Sequence, residues 1–376
     1  MVCKLNKSVY GLVQAAKNFY RTIVDFLKTI GFVGCKTEPC LMKYVETEGT
    51  VFVGIYVDDL LFVGKGKLTM KLIDKVKNRF GIRIKMDLDE FIGCQIQKIS
   101  NSLVLHQARL ITKLEAEFGE ECGKKVVRTP MSVNSHVVRP LEGEKLNEKD
   151  QTKYMSGTGT LLYLVKHSRP DLSNAVRELS KGMAGASRQG YKQMLRVMTY
   201  VLNGGLKGVK MQELKILNWI LRCYTDSDWA GNAEDRKSVS GWCIFVEDIL
   251  LSWGSRAQKN VTCSSTEAEY VGISEICKEL LFIIYVLEFL DQKVELPVTV
   301  WVDNVGAIYI GENAVTKRTK HIDTRYHVIR EHIEDGIVVL RFVRSEKNLA
   351  DIFTKNTSER VFKDLTGKLI VDADND

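Results

Sequence analysis

The sequence predicts a multidomain protein of the α+β and α/β classes, whose N-terminal and C-terminal parts are organised differently. Its 376 residues are enough for two or three domains. The N-terminal part combines amphipathic helices with short apolar strands, and a purely helical segment follows it. The C-terminal part begins with strands in series and then alternates strands with helices. This last pattern indicates a mixed sheet with helices packed on it.

The composition is that of a folded protein with a basic balance. Hydrophobic residues make up 45% and charged residues 27% of the chain, and the formal net charge is +7. This sign suits a polyanionic partner such as nucleic acid. Nine dispersed cysteines without a CxxC pair indicate reduced thiols rather than a disulfide framework or a zinc site.

The longest apolar stretch, 280–290, is too short to cross a membrane and contains Glu288. The N-terminus lacks the apolar core of a signal peptide. We therefore expect no membrane contact and an intracellular, cytoplasmic location, with nuclear or particle-associated locations left open.

Apolar periodicity divides the N-terminal half into helices and strands around a double aspartate. Helices are predicted at 15–30, 68–80 and 107–119, and strands at 51–56, 60–63, 81–86 and 91–99. Asp58 and Asp59 lie between the first two of these strands, which we expect to form a hairpin. The pair is either an ordinary acidic turn or a site for a positive ligand such as a metal ion.

The rest of the chain contains a helical segment and then the mixed sheet. Residues 141–153 are the best linker candidate, and the helices predicted after it are 154–167, 171–184 and 189–203. Strands are then predicted at 215–226, 240–246, 249–255, 298–303 and 337–343, and helices at 264–290, from Asn304, at 321–334 and from Asn348. The acidic segment after about residue 358 is expected to be loosely held.

Four carboxylates of the C-terminal part stand where predicted elements begin or end. Asp226 and Asp303 close strands, Asp351 opens a helix, and Glu269 lies in the first turns of the long helix. If these side chains converged, divalent cations would have to neutralise them, as in two-metal phosphodiester hydrolysis. An isolated Asp at a strand end is, however, usually a helix cap or a turn residue. Spacing alone leaves both interpretations open.

Local motifs of this part resemble the ribonuclease H domain of copia-type LTR retrotransposon Pol polyproteins. They are YTDSDWA, DRKSVSGW, SSTEAEY, VDN, RTKHIDTRYHVIRE and NLADIFTK, in that order. The resemblance implies that Asp226, Glu269, Asp303 and Asp351 are catalytic and hold two Mg²⁺ ions. Glu269 is preferred to Glu267 because the family's catalytic Glu precedes a small residue by three positions, and Gly272 fits. Asp228 also belongs to the pattern, and we expect it to stabilise a turn.

The segment 318–332 contains three histidines among basic residues. The histidine spacing is not that of a zinc motif, and no cysteine is close in sequence. A phosphate-contacting face fits better, with Arg318, Lys320, Arg325 and Arg330 as predicted nucleic-acid-binding residues. Many ribonucleases H carry a histidine just before the last Asp. The corresponding stretch VRSEKN has none, which argues against fast turnover.

The N-terminal half resembles the reverse transcriptase of the same polyproteins. The blocks VYGLVQAAKNFYRTIVDFLKTIGF, CLMKY and YVDDLLFVG follow the family order. The resemblance implies that Asp58 and Asp59 form the metal-binding turn of a polymerase palm. Polymerase chemistry also needs a third carboxylate from an earlier strand. None of the acids before Asp58, which are Asp25, Glu38, Glu46 and Glu48, closes an apolar strand. Ala16, Lys17 and Tyr20 also depart from the family pattern.

These observations predict a truncated palm at 1–104, a thumb-like helical segment at 105–140, a linker and helical connection at 141–214, a ribonuclease H domain at 215–357 and an acidic tail at 358–376. We expect Mg²⁺-dependent hydrolysis of RNA in RNA–DNA hybrids and, without fingers or the first palm Asp, no DNA synthesis. The alternative is a decayed or co-opted remnant that binds nucleic acid without catalysis. Other Pol chains are a further expected partner, since they could supply the missing polymerase parts.

Overall fold

The computed structural model describes residues 9, 11–214, 218–232, 234–313 and 328–374, and the chain divides into two compact units. Unit 1 comprises Met1–Leu88 and Phe282–Lys293, and unit 2 comprises Asp89–Leu281 and Val294–Asp376. Both units mix helices with β-sheet, in agreement with the predicted mixed class. Within the described residues, no helix combines the length and the apolar character needed to cross a membrane.

Unit 1 is an antiparallel sheet covered by two amphipathic helices. Its elements are α1 (Ala15–Thr29), β1 (Val33–Gly34), β2 (Leu41–Glu46), β3 (Gly49–Tyr56), β4 (Asp59–Gly64) and α2 (Gly66–Phe80). The strands pair in the order β1-β2-β3-β4. Ile23 and Leu27, one turn apart on α1, are buried with Val51 and Val53 of β3 and Leu72 of α2. The predicted hairpin around the double aspartate is the β3–β4 pair.

Residues 81–86 were predicted to form a strand, and this prediction is wrong. The segment contains no strand, although Ile82 and Ile84 are half-buried and the residues on either side of each, Gly81, Arg83 and Lys85, are exposed. The alternating pattern is therefore present, but no described strand pairs with the segment. A β-strand needs a hydrogen-bonding partner as well as a pattern.

Unit 2 contains two five-stranded sheets and the remaining helices. Its elements are β5 (Glu90–Phe91), β6 (Cys94–Ile99), β7 (Ser102–His106), α3 (Ala108–Cys122), α4 (Glu148–His167), α5 (Ser173–Ser180), α6 (Arg188–Leu202), β8 (Lys207–Met211), β9 (Asn218–Trp219), β10 (Leu221–Asp228), β11 (Val239–Val246), β12 (Ile249–Ala257), α7 (Ser265–Phe289, whose end lies in unit 1), β13 (Lys293–Val294, whose first residue lies in unit 1), β14 (Val298–Val302), α8 (Val305–Glu312), α9 (Val328–Glu334), β15 (Val338–Phe342), α10 (Asp351–Thr354), α11 (Glu359–Thr366) and β16 (Val371–Asp372). Helix α4 begins inside the predicted linker because the Asn147 side chain caps it, accepting a hydrogen bond from Asp150 N at 2.8 Å.

The first sheet of unit 2 has the strand order β12-β11-β10-β14-β15. Strands β12, β11 and β10 are antiparallel neighbours, whereas β14 runs parallel to β10 and β15 runs parallel to β14. Helix α7 lies close to β10, since a Cβ at Gly272 would be 2.6 Å from Ser227 Oγ. Because β10 and β14 are parallel, their carboxyl ends meet at one edge of the sheet.

One hydrophobic core joins segments of unit 2 that are far apart in sequence. It contains Phe118 of α3, Leu161 of α4, Met198 of α6, Phe245 of β11 and Phe353 of α10. Hydrogen bonds also tie the segments together. Trp253 Nε1 donates to Val165 O at 2.8 Å, and Asn356 Nδ2 donates to Ser135 O at 2.8 Å. The helices before residue 215 therefore cover apolar surface of the β10–β12 sheet.

The segment after residue 358 was expected to be loosely held, and the structure contradicts this. Phe362 and Leu365 of α11 are buried in the unit 2 core. Strand β16 then pairs with β8 and completes the second sheet, which has the order β16-β8-β7-β6-β5. The acidic residues gave the segment a polar appearance, but its apolar residues lie on one helical face.

Candidate active site

Three of the four predicted carboxylates converge at the edge where β10 and β14 end. Asp226 belongs to the end of β10, Asp303 follows β14 directly, and Glu269 lies in the second turn of α7. One carboxylate oxygen of each lies within 4.8 Å of one from each of the others. Asp226 and Glu269 are buried and Asp303 is half-buried, so the cluster opens to solvent on the Asp303 side.

Asp351 opens α10 beside this group and carries an ion pair that the sequence analysis missed. Lys355 Nζ lies 2.6 Å from Asp351 Oδ1. Asp226 and Asp351 are the two main causes that raise the pKa of Lys355, against the opposing effect of its burial. The motif NLADIFTK already contained the signal, since residues four apart on a helix are neighbours.

Burial and mutual repulsion favour the protonated forms of Asp226, Glu269 and Asp351. Burial, followed by the charges of Asp351 and Asp303, raises the pKa of Asp226 to about 7. Burial and then Asp226 and Asp303 raise the pKa of Glu269 to about 9. The pKa of Asp351 is also raised, mainly by burial. Like charges brought together out of water ionise together only when positive charge is added.

Hydrogen bonds fix the orientation of three carboxylates. Ser227 N donates to Glu269 Oε1 at 3.0 Å, and Ser345 Oγ donates to Asp303 Oδ2 at 2.7 Å. Thr354 Oγ1 donates to Asp226 Oδ2. The other oxygen of Glu269, Oε2, is buried and has no hydrogen-bond partner among the described residues. This oxygen is thus available to a ligand that the chain does not itself provide.

The structure distinguishes Glu269 from its neighbour Glu267. Glu267 is half-buried at the start of α7, where its Oε2 accepts a hydrogen bond from Cys263 N at 2.6 Å. It belongs to the helix terminus, whereas Glu269 belongs to the carboxylate cluster. Asp228 is the last residue of β10, and it lies so close to Gly231 of the following loop that a Cβ there would be 1.9 Å from Asp228 Oδ2. The turn role predicted for Asp228 remains a prediction.

The predicted nucleic-acid-binding residues can be located only in part. Arg318, Lys320 and Arg325 lie outside the described residues, as do His321 and His327. Arg330 is half-buried on α9, and its Nε and Nη2 donate to Ile310 O at 3.1 and 2.9 Å. This guanidinium therefore also joins α9 to α8.

Asp58 and Asp59 lie in unit 1 and form a different kind of site. Val57 and Asp58 are the turn between β3 and β4, and Val57 has a φ of +52°, which is rare for a β-branched residue. Both aspartates are exposed. Among the described residues they join no group of three metal-ligating side chains. The expectation that no acid before Asp58 closes a strand is wrong for Glu46, which ends β2. Glu46 pairs with Gly49 at the start of β3, however, whereas Asp58 follows the end of β3.

Comparisons with known proteins agree with the predicted family. The family model described as reverse transcriptase (RNA-dependent DNA polymerase) matches residues 1–132. The chain is similar to the retrovirus-related Pol polyprotein from transposon RE1 of Arabidopsis thaliana, with 33% identity over 370 residues. It is also similar to the corresponding polyprotein from transposon TNT 1-94 of Nicotiana tabacum, with 31% identity over 380 residues. Each alignment covers 98% of this chain, but the chain spans only 25% and 28% of these relatives.

Among solved structures, LC11-RNase H1, isolated from compost, aligns with 36% of this chain and 92% of its own length. The identity is 18% and the TM-score is 0.29, which is too low to establish a shared fold. The assignment therefore rests on the sequence relatives, whose similarity runs through both units. The chain belongs to the copia-type Pol polyproteins of retrotransposons.

Proposed function

We propose that this chain hydrolyses the RNA strand of RNA–DNA hybrids with two Mg²⁺ ions, and that Asp226, Glu269, Asp303 and Asp351 carry the reaction. The observation that supports this most is the convergence of three carboxylates within 4.8 Å at the carboxyl ends of two parallel strands. Burial of two of them makes an ordinary capping or turn role a poor explanation, because such residues remain solvated.

The residues present fit divalent cations. Carboxylate oxygens are the ligands that Mg²⁺ prefers, and the cluster combines several of them with a buried Glu269 oxygen that has no described hydrogen-bond partner. Burial first, and then the neighbouring carboxylates, raise the pKa values of Asp226 and Glu269, and a bound cation would favour the ionised forms of both groups. When bound, the ions would lower the pKa of water and stabilise negative charge at the scissile phosphate.

The protein itself orients the ligands. Ser227 N and Ser345 Oγ each hold one carboxylate oxygen of Glu269 and Asp303, which leaves the second oxygen of each for a ligand. Thr354 does the same for Asp226. Lys355 adds one positive charge beside Asp351, which reduces repulsion within the group. Such fixed positions lower the reorganisation needed during reaction.

We infer that the reverse transcriptase part does not synthesise DNA by itself. Asp58 and Asp59 are exposed, and among the described residues they join no group of three side chains that could hold a metal ion together. Polymerase chemistry needs two metal ions held by more than one strand. Association with another Pol chain remains a prediction, as does phosphate binding by Arg318, Lys320, Arg325 and Arg330.

The test is cleavage of a hybrid whose RNA strand is end-labelled, by the full chain with Mg²⁺ or with EDTA. We expect Mg²⁺-dependent cleavage that Asp303→Asn abolishes. Asp335→Asn is the matched control, because Asp335 is an exposed aspartate in the turn after α9 of the same unit. It should cleave like the wild type.

Equal cleavage by Asp303→Asn and the wild type would show that another site acts. A folded wild-type chain that binds the hybrid but leaves it intact with Mg²⁺ or Mn²⁺ would favour the alternative of a non-catalytic remnant. Circular dichroism and thermal melting establish folding in each case.

A further inference from the structure

Unit 2 contains a cleft beside the carboxylate cluster. None of the three cluster residues lines this cleft. The cleft has a volume of about 470 Å³, and its floor includes Tyr224 of β10 and Leu349, which precedes α10. Tyr224 stands two positions before Asp226 of the cluster, and Leu349 stands two positions before Asp351, which lies beside the cluster. Side chains two apart on a strand point to the same face, so Tyr224 and Asp226 lie on one side of β10, roughly 7 Å apart along the strand. The cleft thus opens next to the cluster.

The rim of the cleft is basic. Four of its lining residues are cationic, Lys210, Arg222, Lys347 and Lys368, and one is acidic, Asp248. Arg222 Nη2 lies 3.0 Å from Asp248 Oδ1. The three lysines are exposed, and among the described residues none forms an ion pair. The negative charges of an anionic ligand could therefore pair with these three lysines.

The floor of the cleft is aromatic and aliphatic. The Tyr224 ring stacks on Trp301, with a centroid distance of 6.4 Å and an interplanar angle of 21°. It also meets Phe245 edge-on at 6.3 Å. These contacts hold a half-buried ring in one orientation at the base of a positively charged groove. Aromatic rings placed in this way are platforms on which nucleic-acid bases stack.

We propose that this cleft binds a single-stranded segment of nucleic acid, with phosphates at Lys210, Lys347 and Lys368 and a base against Tyr224. A cavity of this volume accommodates a ligand of one or two nucleotides rather than a duplex. The combination of cations and rings favours a polynucleotide over an acidic peptide, which would leave the aromatic floor without a stacking partner. The cleft lies beside the proposed hydrolytic site, but the binding requires no hydrolysis.

The test measures the fluorescence anisotropy of a labelled single-stranded RNA of about 12 nucleotides with the full chain in EDTA. The variant Lys210→Glu/Lys347→Glu/Lys368→Glu should bind at least ~10-fold more weakly than the wild type. If three phosphate contacts are lost, the slope of log K against log salt should decrease by about 2. Tyr224→Leu should weaken binding by about 5- to 100-fold with little change in that slope.

The matched control is Lys98→Glu/Lys113→Glu/Lys125→Glu, which makes the same change in net charge at three exposed lysines elsewhere in unit 2. We expect it to weaken binding less than about 3-fold. Equal loss in both triple variants, with melting temperatures unchanged, would overturn the proposal, because the lysines would then act only through net charge. Stronger competition by an oligoglutamate than by unlabelled RNA of equal length would also overturn it.

Asp303→Asn separates this proposal from the proposed hydrolysis. It should abolish hybrid cleavage and still bind the single strand in EDTA. Conversely, the Lys210, Lys347 and Lys368 variant should still cleave a short blunt hybrid with Mg²⁺, since none of these lysines belongs to the carboxylate cluster. Single-strand binding that disappears with Asp303→Asn would assign the binding to the carboxylate site and contradict a separate cleft.

Discussion

The two units present acidic side chains in opposite ways. In unit 1, Asp58 and Asp59 are exposed at a hairpin turn and belong to no described group of three metal-ligating side chains. In unit 2, Asp226, Glu269 and Asp303 converge at a sheet edge, and Asp226 and Glu269 are 3% and 5% exposed. Holding the two ionised aspartates of the turn destabilises the folded state little, because water solvates and screens both charges. Holding the buried carboxylates of unit 2 in their ionised forms destabilises the folded state much more, unless nearby positive charge compensates them.

This difference shows what a motif alone does not reveal. A pair of aspartates in a turn supplies ligands from one hairpin only, whereas the cluster draws its ligands from β10, α7 and the residue that follows β14, with Asp351 of α10 beside them. A buried group of like charges is maintained only if the surrounding structure and a ligand both support it. For this reason the hydrolysis that we propose is placed in unit 2, and the same contrast supports our inference that unit 1 does not synthesise DNA by itself.

The largest expected effect separates the two units directly. Asp226→Asn should lower the rate of Mg²⁺-dependent hybrid cleavage by at least ~100-fold, because it removes a ligand at the centre of the cluster. Asp58→Asn/Asp59→Asn should change the rate by less than about 2-fold. The measurement is single-turnover cleavage at saturating protein, so that differences in binding do not enter.

Primer extension on the same preparations completes this comparison. We expect none from the wild type, since Asp58 and Asp59 belong to no described group of three metal-ligating side chains. Extension by the wild type that is lost in the Asp58 and Asp59 variant would restore activity to unit 1 and remove the contrast between the units.

An intermediate effect concerns Lys355, the cation of the cluster. At pH 8 without metal, Lys355→Met should lower the free energy of unfolding by about 1–2 kcal/mol; its side chain is 45% exposed, so the loss is smaller than for a fully buried pair. Mg²⁺ should restore more stability to this variant than to the wild type, because the ion replaces the lost positive charge.

All five tryptophans of the chain lie in unit 2, so urea unfolding followed by tryptophan fluorescence reports on this unit. Lys355→Arg keeps the charge and should behave like the wild type. Lys363→Met, at an exposed position of α11, is the control for lost charge elsewhere. Identical stabilisation of Lys355→Met and the wild type by Mg²⁺ would show that Lys355 does not compensate the cluster.

The sequence was informative where chemistry is local in the chain, and less so where distant segments meet. Strand ends and motifs led to Asp226, Glu269 and Asp303, which the fold brings together. The cleft was not foreseeable, because Lys210 and Lys368 approach each other only through the pairing of β8 with β16. That pairing joins residues more than 160 positions apart, and local periodicity contains no information on it.

The smallest expected effect is the pH dependence of stability without metal. Burial and neighbouring carboxylates raise the pKa of Glu269 to about 9, whereas an unfolded Glu releases its proton near pH 4. The folded state therefore binds more protons throughout this interval, and the free energy of unfolding of unit 2 falls as the pH rises through it. The glutamine side chain of the Glu269→Gln variant cannot ionise, so the free energy of unfolding of this variant should not fall in the same way as the pH rises. At pH 9 its melting temperature should exceed that of the wild type by at least about 3–6 °C, since a single pH unit of this interval corresponds to about 1.4 kcal/mol, and at pH 5 most of this difference should be absent.

Tryptophan fluorescence in EDTA measures this melting, and Asp58→Asn in unit 1 is the control that should follow the wild type at every pH. Excess Mg²⁺ at pH 9 should stabilise the wild type and reduce or reverse its difference from Glu269→Gln, because the ion favours the ionised carboxylate that the variant lacks. Parallel melting curves of the wild type and Glu269→Gln between pH 5 and 9 would mean that Glu269 is already compensated without metal. The distinction between a solvated acidic turn and a buried cluster that depends on metal would then fail at its central residue.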